Sequence, residues 1–269
     1  MDGSPFGDAA ANLAMTWADR RKAALVGLGV LDAPSITRPE LVPPGGMSFK
    51  RQKDAARLAD AHVRIQSMLK AFGARCQRAR IPYALVEDVG VSHEQIILEA
   101  ERCDLVVFGR ETHFQFETQD APDETLSQVL RRSPRPVVVV PREPAQGSGC
   151  LIAYGGGREV ARTLETFTLL GMAEGEAVDV ITFHAERSEA KRRLERAGEY
   201  LGAHGITARL HPLSTDKAPA AAILAEVQRR RPRLLVMGSH GHHPLRDLFF
   251  TSVTRAVLKD TPVPVFAGA

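Results

Sequence analysis

The most regular feature of the chain is a pair of short apolar runs, each closed by glycine. Asp104-Leu105-Val106-Val107-Phe108-Gly109 corresponds to Arg233-Leu234-Leu235-Val236-Met237-Gly238. Runs that stay apolar at consecutive positions suit parallel strands covered on both faces, where a half-exposed strand would alternate. Each run is followed by a loop, a short helical pattern and a proline-punctuated last strand. In the first half these are Glu124 to Arg132, then Pro134-Arg135-Pro136-Val137-Val138-Val139-Val140. In the second they are Thr251 to Lys259, then Thr261-Pro262-Val263-Pro264-Val265-Phe266. The same order at nearly the same offset fits duplication of one unit.

The rest of each half alternates strand and helix. In the second, Leu151 to Tyr154 is predicted as a strand stopped by Gly155-Gly156-Gly157, and Arg158 to Met172 as a helix. Val178 to Phe183 is the next strand, Ser188 to His204 a charged amphipathic helix, Ala208 to His211 a strand, and Ala218 to Arg230 an alanine-rich helix. The first half runs through a helix at Ala9 to Arg20, a strand at Ala24 to Val30 and a long helix at Lys50 to Arg80. Tyr83 to Glu87 and Ser92 to Glu101 then lead to its apolar run. Pro34 to Gly46, rich in Pro and Gly, is expected as a surface loop. Right-handed crossovers turn this order into a doubly wound α/β fold with two parallel five-stranded sheets. The expected domains are 1–141 and 150–269, with the Pro/Gly/Ser stretch 142–149 as a linker.

Composition narrows the function classes. The chain of 269 residues is 44% hydrophobic and 25% charged, with a formal charge of +3 and a pI near 8.9. Basic and acidic residues are interspersed, so no nucleic-acid footprint is expected. Arg229-Arg230-Arg231 ends a predicted helix, where cations suit the dipole. Cys76, Cys103 and Cys150 lie far apart, which points away from a disulfide scaffold and toward a reducing compartment. No apolar stretch reaches the roughly 18 residues of a membrane span, and the N-terminus lacks a secretory pattern. The expectation is a cytoplasmic protein with no membrane partner.

Met237-Gly238-Ser239-His240-Gly241, with Leu248-Phe249-Phe250-Thr251-Ser252-Val253 and Pro262-Val263-Pro264-Val265, resembles the ATP-binding end of the universal stress proteins. That family's pattern is Gly, two residues, Gly, nine residues, then Gly and Ser or Thr. Gly238 and Gly241 match, and Ser252 matches, while Thr251 stands where the family has its last glycine. The physics of the motif is general: glycines at a strand end let backbone N–H groups approach phosphate oxygens, and Ser252 at a helix start favours an anion. Thr251 either narrows the site or adds a donor, and a bare GxxG also fits an ordinary strand-to-helix turn. The resemblance implies a phosphate site at Gly238, Ser239, His240, Gly241, Thr251, Ser252 and Val253. It also implies that Ala153 to Gly155, with Tyr154, and Val180 to Phe183 flank the base of ATP or another adenine nucleotide.

A second feature of the family is an acidic turn, Asp-Gly-Ser, after the first strand. Gly155-Gly156-Gly157 replaces it in the second half, so one polar contact to the nucleoside is lost. Asp2-Gly3-Ser4 resembles it in the first half, but there the phosphate loop reads Gly109-Arg110-Glu111-Thr112 and continues into acids that repel a polyphosphate. No ATP is expected in that half, and Asp123 is expected to cap the helix after it. Only Met1 precedes the Asp2 turn, so the central strand of the first unit is expected to be missing and the true start to lie upstream.

His240, His242 and His243 match no common zinc spacing, and no metal is expected; they line the pocket or meet solvent. Arg246 is a phosphate partner or a solvated loop residue. No nucleophile elbow, P-loop or dinucleotide fingerprint occurs, so no catalytic residue is named. The sequence therefore implies a stress-response or regulatory module that holds an adenine nucleotide in its second half. The alternatives are an interaction scaffold that binds no nucleotide, presenting surfaces to an unknown protein partner, and an enzyme of the related adenine-nucleotide superfamily. The family resemblance further implies an intramolecular pseudo-dimer, with Val137 to Val140 facing Val263 to Phe266, and leaves a homodimer open.

Overall fold

The computed structural model describes residues 1–269 apart from 42, 44, 115, 117–122, 216, 239–251 and 269. Its contacts divide the chain into two units, Met1–Glu99 with Glu111–Val129, and Ala100–Arg110 with Leu130–Ala269.

The first unit begins with α1 (Pro5–Arg21), capped by Ser4, whose Oγ accepts from the Gly7 N–H at 3.0 Å. After it come β1 (Leu25–Leu31), α2 (Ala33–Ile36), α3 (Met47–Ala79), β2 (Tyr83–Val89) and α4 (Ser92–Ala100). β1 and β2 form a parallel two-stranded sheet in register from Leu25 opposite Tyr83 to Leu31 opposite Val89. Helix α3 lies against it because β1 withholds two side chains. A Cβ at Gly27 would stand 2.7 Å from the Phe72 ring, and one at Gly29 would stand 2.5 Å from Ile65. The buried carboxylate of Asp32 accepts from Ser35 N, which caps α2, and from the Ser92 hydroxyl at 3.0 Å at the start of α4. That local cap explains a four-residue helix inside the segment expected to be all loop.

The remaining elements are β3 (Val106–Gly109), α5 (Thr125–Arg132), β4 (Val137–Val140), β5 (Cys150–Ala153) and α6 (Arg158–Leu169). Then follow β6 (Val178–Phe183), α7 (Arg187–Ala203), β7 (Ala208–Leu213), α8 (Pro219–Arg230), β8 (Leu234–Gly238), α9 (Ser252–Asp260) and β9 (Val265–Gly268). Their strands form one seven-stranded sheet in the second unit, ordered β3-β4-β9-β8-β5-β6-β7. The α/β class and the parallel pairing agree with the sequence. Among the described residues the strands do not divide into two five-stranded sheets. The second half supplies five strands of the large sheet, β3 and β4 extend it, and β1 and β2 stand in a sheet of their own. The extension works because β4 pairs with β9 antiparallel, so it needs no crossover helix.

That pairing brings together the two segments expected to face one another. Val137, Val138 and Val139 stand opposite Ala267, Phe266 and Val265, and all six are at most 2% exposed. Arg110, just after β3, adds a polar tie: its Nη1 donates to Lys259 O and Thr261 O, both at 3.0 Å, at the C-terminal end of α9. The stretch 142–149, expected as a linker, lies within the second unit and is fixed to it. Ala145 N donates to Pro262 O at 2.8 Å and Ser148 N to Arg231 O at 3.2 Å. Gly147 is needed there, since a Cβ would meet Arg231 O at 2.4 Å.

A charged cluster stands between β6, β7 and α8. Asp179 is 9% exposed and pairs across the ladder with Arg209. Its carboxylate meets Arg209 Nη2 at 2.7 Å, His211 Nε2 at 2.6 Å and Arg230 Nη1 at 3.0 Å. Burial pushes its pKa up, but the hydrogen bonds from His211 and Arg209 and the nearby guanidinium charges outweigh that and hold the carboxyl below its ordinary value.

Two outcomes follow for stability. Val139→Ala should cost about 2 kcal/mol from lost burial and the cavity left, and Val139→Asp should cost more; unchanged urea midpoints would place the seam elsewhere. A depressed folded pKa means that Asp179 stabilises fully above its unfolded value of about 3.9 and loses that contribution as pH falls through the folded one. Asp179→Asn should therefore cost about 1–3 kcal/mol at pH 7, and the gap to wild type should shrink at pH 3 in parallel unfolding curves.

Candidate functional site

In the large sheet the second-half strands run β9-β8-β5-β6-β7. The chain steps outward from β5 to β6 and β7, then returns to the other side of β5 for β8 and β9. Right-handed crossovers therefore put α6 and α7 on one face and α8 and α9 on the other. Where the direction reverses, between β5 and β8, the loops part and leave a crevice at the carboxyl ends of the strands.

A cleft of about 420 Å³ occupies that place. Its floor is the ends of β5, β6 and β8 through Ala153, Ile181 and Met237, and Phe183, Pro219 and Ile223 extend the apolar lining. The first turn of α6 (Glu159, Val160) and that of α9 (Val253, Thr254) also border it. Helix N-termini carry unpaired N–H groups and a partial positive charge, so both turns favour an anion.

Of the residues named from the sequence, Tyr154, Gly155, Gly238 and Val253 line this one cleft. Ser252 is the first residue of α9 and is exposed. Ser239, His240, Gly241 and Thr251 lie outside the described residues, as do His242, His243, Arg246 and Asp247. Ile181, Thr182 and Phe183, expected beside a base, are in the lining; Val180 is fully buried instead. The Thr182 hydroxyl donates to Tyr154 O and locks the end of β5 to β6. Burial pushes the Tyr154 phenol up, and the charge of Arg196 partly offsets that.

The glycines of the site differ in what requires them. Gly156 and Gly157 have φ of 80° and 93°, a region open mainly to glycine. Gly155 and Gly238 have no such constraint. A Cβ on Gly155 would find nothing within 4 Å, and one on Gly238 would make only an ordinary 3.5 Å contact with Val160. Among the described residues nothing requires glycine at 155 or 238, and its absence of a side chain leaves room in the cleft.

Sequence reasoning missed Arg193 of α7, which also lines the cleft. Its Nη1 donates to Gly155 O at 2.6 Å and its Nε to Glu189 Oε1 at 2.8 Å. That hydrogen bond is the main reason the Glu189 carboxyl sits below its usual pKa, with burial opposing and Arg192 adding to the effect. Where the resembled family carries an acid, this site has a bare glycine turn braced by an arginine.

The first half arranges the matching residues differently. The Asp2 carboxylate is buried; it accepts from Ser4 N and Oγ and, through its other oxygen, from His113 N at 2.9 Å. Asp123 accepts from Thr125 N at 2.8 Å, as expected of a cap, and also from the Thr112 hydroxyl. Arg110 is turned to the α9 carbonyls.

Residues 162–267 match the model of the universal stress protein family. This stretch is a universal stress protein domain. A universal stress protein of Synechocystis sp. is 23% identical over 171 residues, covering 60% of this chain and 56% of that protein, so the match spans little more than half of the relative's length. The crystal structure of a universal stress protein from Archaeoglobus fulgidus DSM 4304 superimposes with a TM-score of 0.72 at 19% identity, covering 100% of this chain and 96% of that one. A functionally unknown protein from Pseudomonas aeruginosa PAO1 gives 0.52 at 16% identity, covering 93% and 94%. At these identities the two structures speak for the fold, and the first covers both halves of the chain.

The matched segment holds the β6, β8, α7, α8 and α9 walls of the cleft, while the end of β5, the glycine turn and the first turn of α6, with Ala153, Tyr154, Gly155, Gly156, Glu159 and Val160, lie just before it. Gly238→Ala should change stability by less than about 0.5 kcal/mol. Gly268→Ala should cost about 1–3 kcal/mol, since its Cβ would stand 2.1 Å from Thr163 Oγ1. Equal thermal shifts for the two variants would refute this division.

Proposed function

We propose that this chain is a stress-response or regulatory module whose second-half cleft binds an adenine nucleotide. The observation that carries the reading is a cleft of about 420 Å³ at the switch point of a universal stress protein domain. Its size falls in the roughly 300–1,000 Å³ range of small-ligand sites, with an apolar wall for a base and helix N-termini for a phosphate. Gly238 supports it further, because glycine there leaves space that packing does not use. Phosphate contacts fall to the backbone around Gly238 and the first turn of α9, helped by Ser239, His240, Gly241 and Thr251 of the sequence motif. The role this scheme assigns is sensing.

The interaction scaffold keeps one specific observation in its favour. The Gly155-Gly156-Gly157 turn offers no carboxylate to a ribose, and the corresponding acid of the first half, Asp2, is occupied by Ser4 and His113.

Calorimetric titration of magnesium ATP and of AMP into the full chain and into Gly238→Asp separates the two. Saturable binding near one site per chain, lost in a variant that melts like wild type, is the expected result. No heat and no thermal shift at millimolar nucleotide would leave the scaffold.

A further inference from the structure

The lining of the cleft carries charge at two separate places. At the β8 side stand Gly238 and the first turn of α9, which favour an anion. At the β5 side the Arg193 guanidinium reaches over the glycine turn to Gly155 O, and its Cδ approaches Gly156 so closely that a Cβ there would lie 3.2 Å away. Arg193 is the only cationic side chain among the described lining residues, and Glu159 the only acidic one.

Glu189 does not cancel this arginine, because it is shared. Its second oxygen pairs with Arg192 Nη2, so the trio keeps one net positive charge. Two of the guanidinium nitrogens of Arg193 are engaged, by Glu189 and by Gly155 O. Nη2 has no partner among the described residues and keeps its N–H groups for a ligand. Arg196, one turn further along α7, adds to the field on this side, and its charge is felt at the Tyr154 hydroxyl. A neutral ribose hydroxyl gains little from such a place, whereas a phosphate gains a charge-assisted hydrogen bond.

Geometry limits which second anion fits. β5 and β8 are adjacent strands, so the two places are separated by roughly one to two strand spacings, about 5–10 Å. Two phosphates on one ribose span that distance, while the far half of a dinucleotide would overshoot it.

We infer that the cleft selects an adenosine nucleotide bearing a phosphate on the ribose as well as at the 5′ position, with Arg193 as the residue that sets this preference. The inference rests on the nucleotide reading above and narrows it.

The test is a set of titrations at fixed ionic strength of AMP, adenosine 3′,5′-bisphosphate and adenosine 2′,5′-bisphosphate into the full chain, Arg193→Gln and Arg193→Lys. One bisphosphate should bind wild type at least tenfold more tightly than AMP. Arg193→Gln should weaken that bisphosphate far more than it weakens AMP, so that the ratio of the two affinities falls to about one, and Arg193→Lys should retain part of the preference. Equal affinity for AMP and both bisphosphates, or a loss in Arg193→Gln that is the same for all three, would overturn the inference while the nucleotide site stands. Failure of every nucleotide to bind wild type would overturn both.

Discussion

The antiparallel ladder between β4 and β9 is the constraint on which the large sheet depends. Antiparallel neighbours need no crossover, so two strands from the first half can join the end of a sheet that the second half otherwise completes. Every side chain in that ladder is apolar and enclosed, and a strand buried on both faces has no polar surface to exchange with water. Removing β4 would leave β9 as an uncovered hydrophobic edge, which is an aggregation hazard. The ladder therefore fixes the order of the sheet on one side, and the reversal between β5 and β8 fixes where a ligand can enter on the other.

Glycine has several distinct purposes in this chain. Gly27 and Gly29 yield to the side chains of α3, Gly147 and Gly268 yield to backbone or to a helix, and Gly156 and Gly157 supply a left-handed turn. Gly155 and Gly238 do none of these. A sequence cannot separate these classes, because the letter is the same. The separation comes from asking what a methyl group would touch, and it leaves Gly155 and Gly238, both at one cleft, without a packing reason, as it does Gly202 of α7.

Much of the fold is legible in the chain because its strands are short, β-branched and continuous. Val178–Phe183 and Val137–Val140 have the bounds that their apolar runs imply. What escapes is decided at a distance. Division of the first-half strands between two sheets depends on which strand edges find partners, and no local pattern records that. The Asp179 cluster is built from one residue each on β6 and α8 and two on β7, so no window of sequence contains it. Arg193 sits in a helix crowded with arginine and lysine, and only the fold points that one cation at Gly155. Tyr154, Gly155, Gly238 and Val253 were legible because they follow strand ends or open a helix, where the alternation of elements already places a site.

Helix α9 has two masters. Its amino end borders the cleft, while its carboxyl end is gripped by Arg110, a residue from the first half of the chain. A nine-residue helix is short enough to shift as a rigid rod, so a displacement at one end must appear at the other. A first-half residue thus holds the rear of the rod whose front borders the cleft. The loop after β3 is in this way a tether on the helix that opens at the cleft.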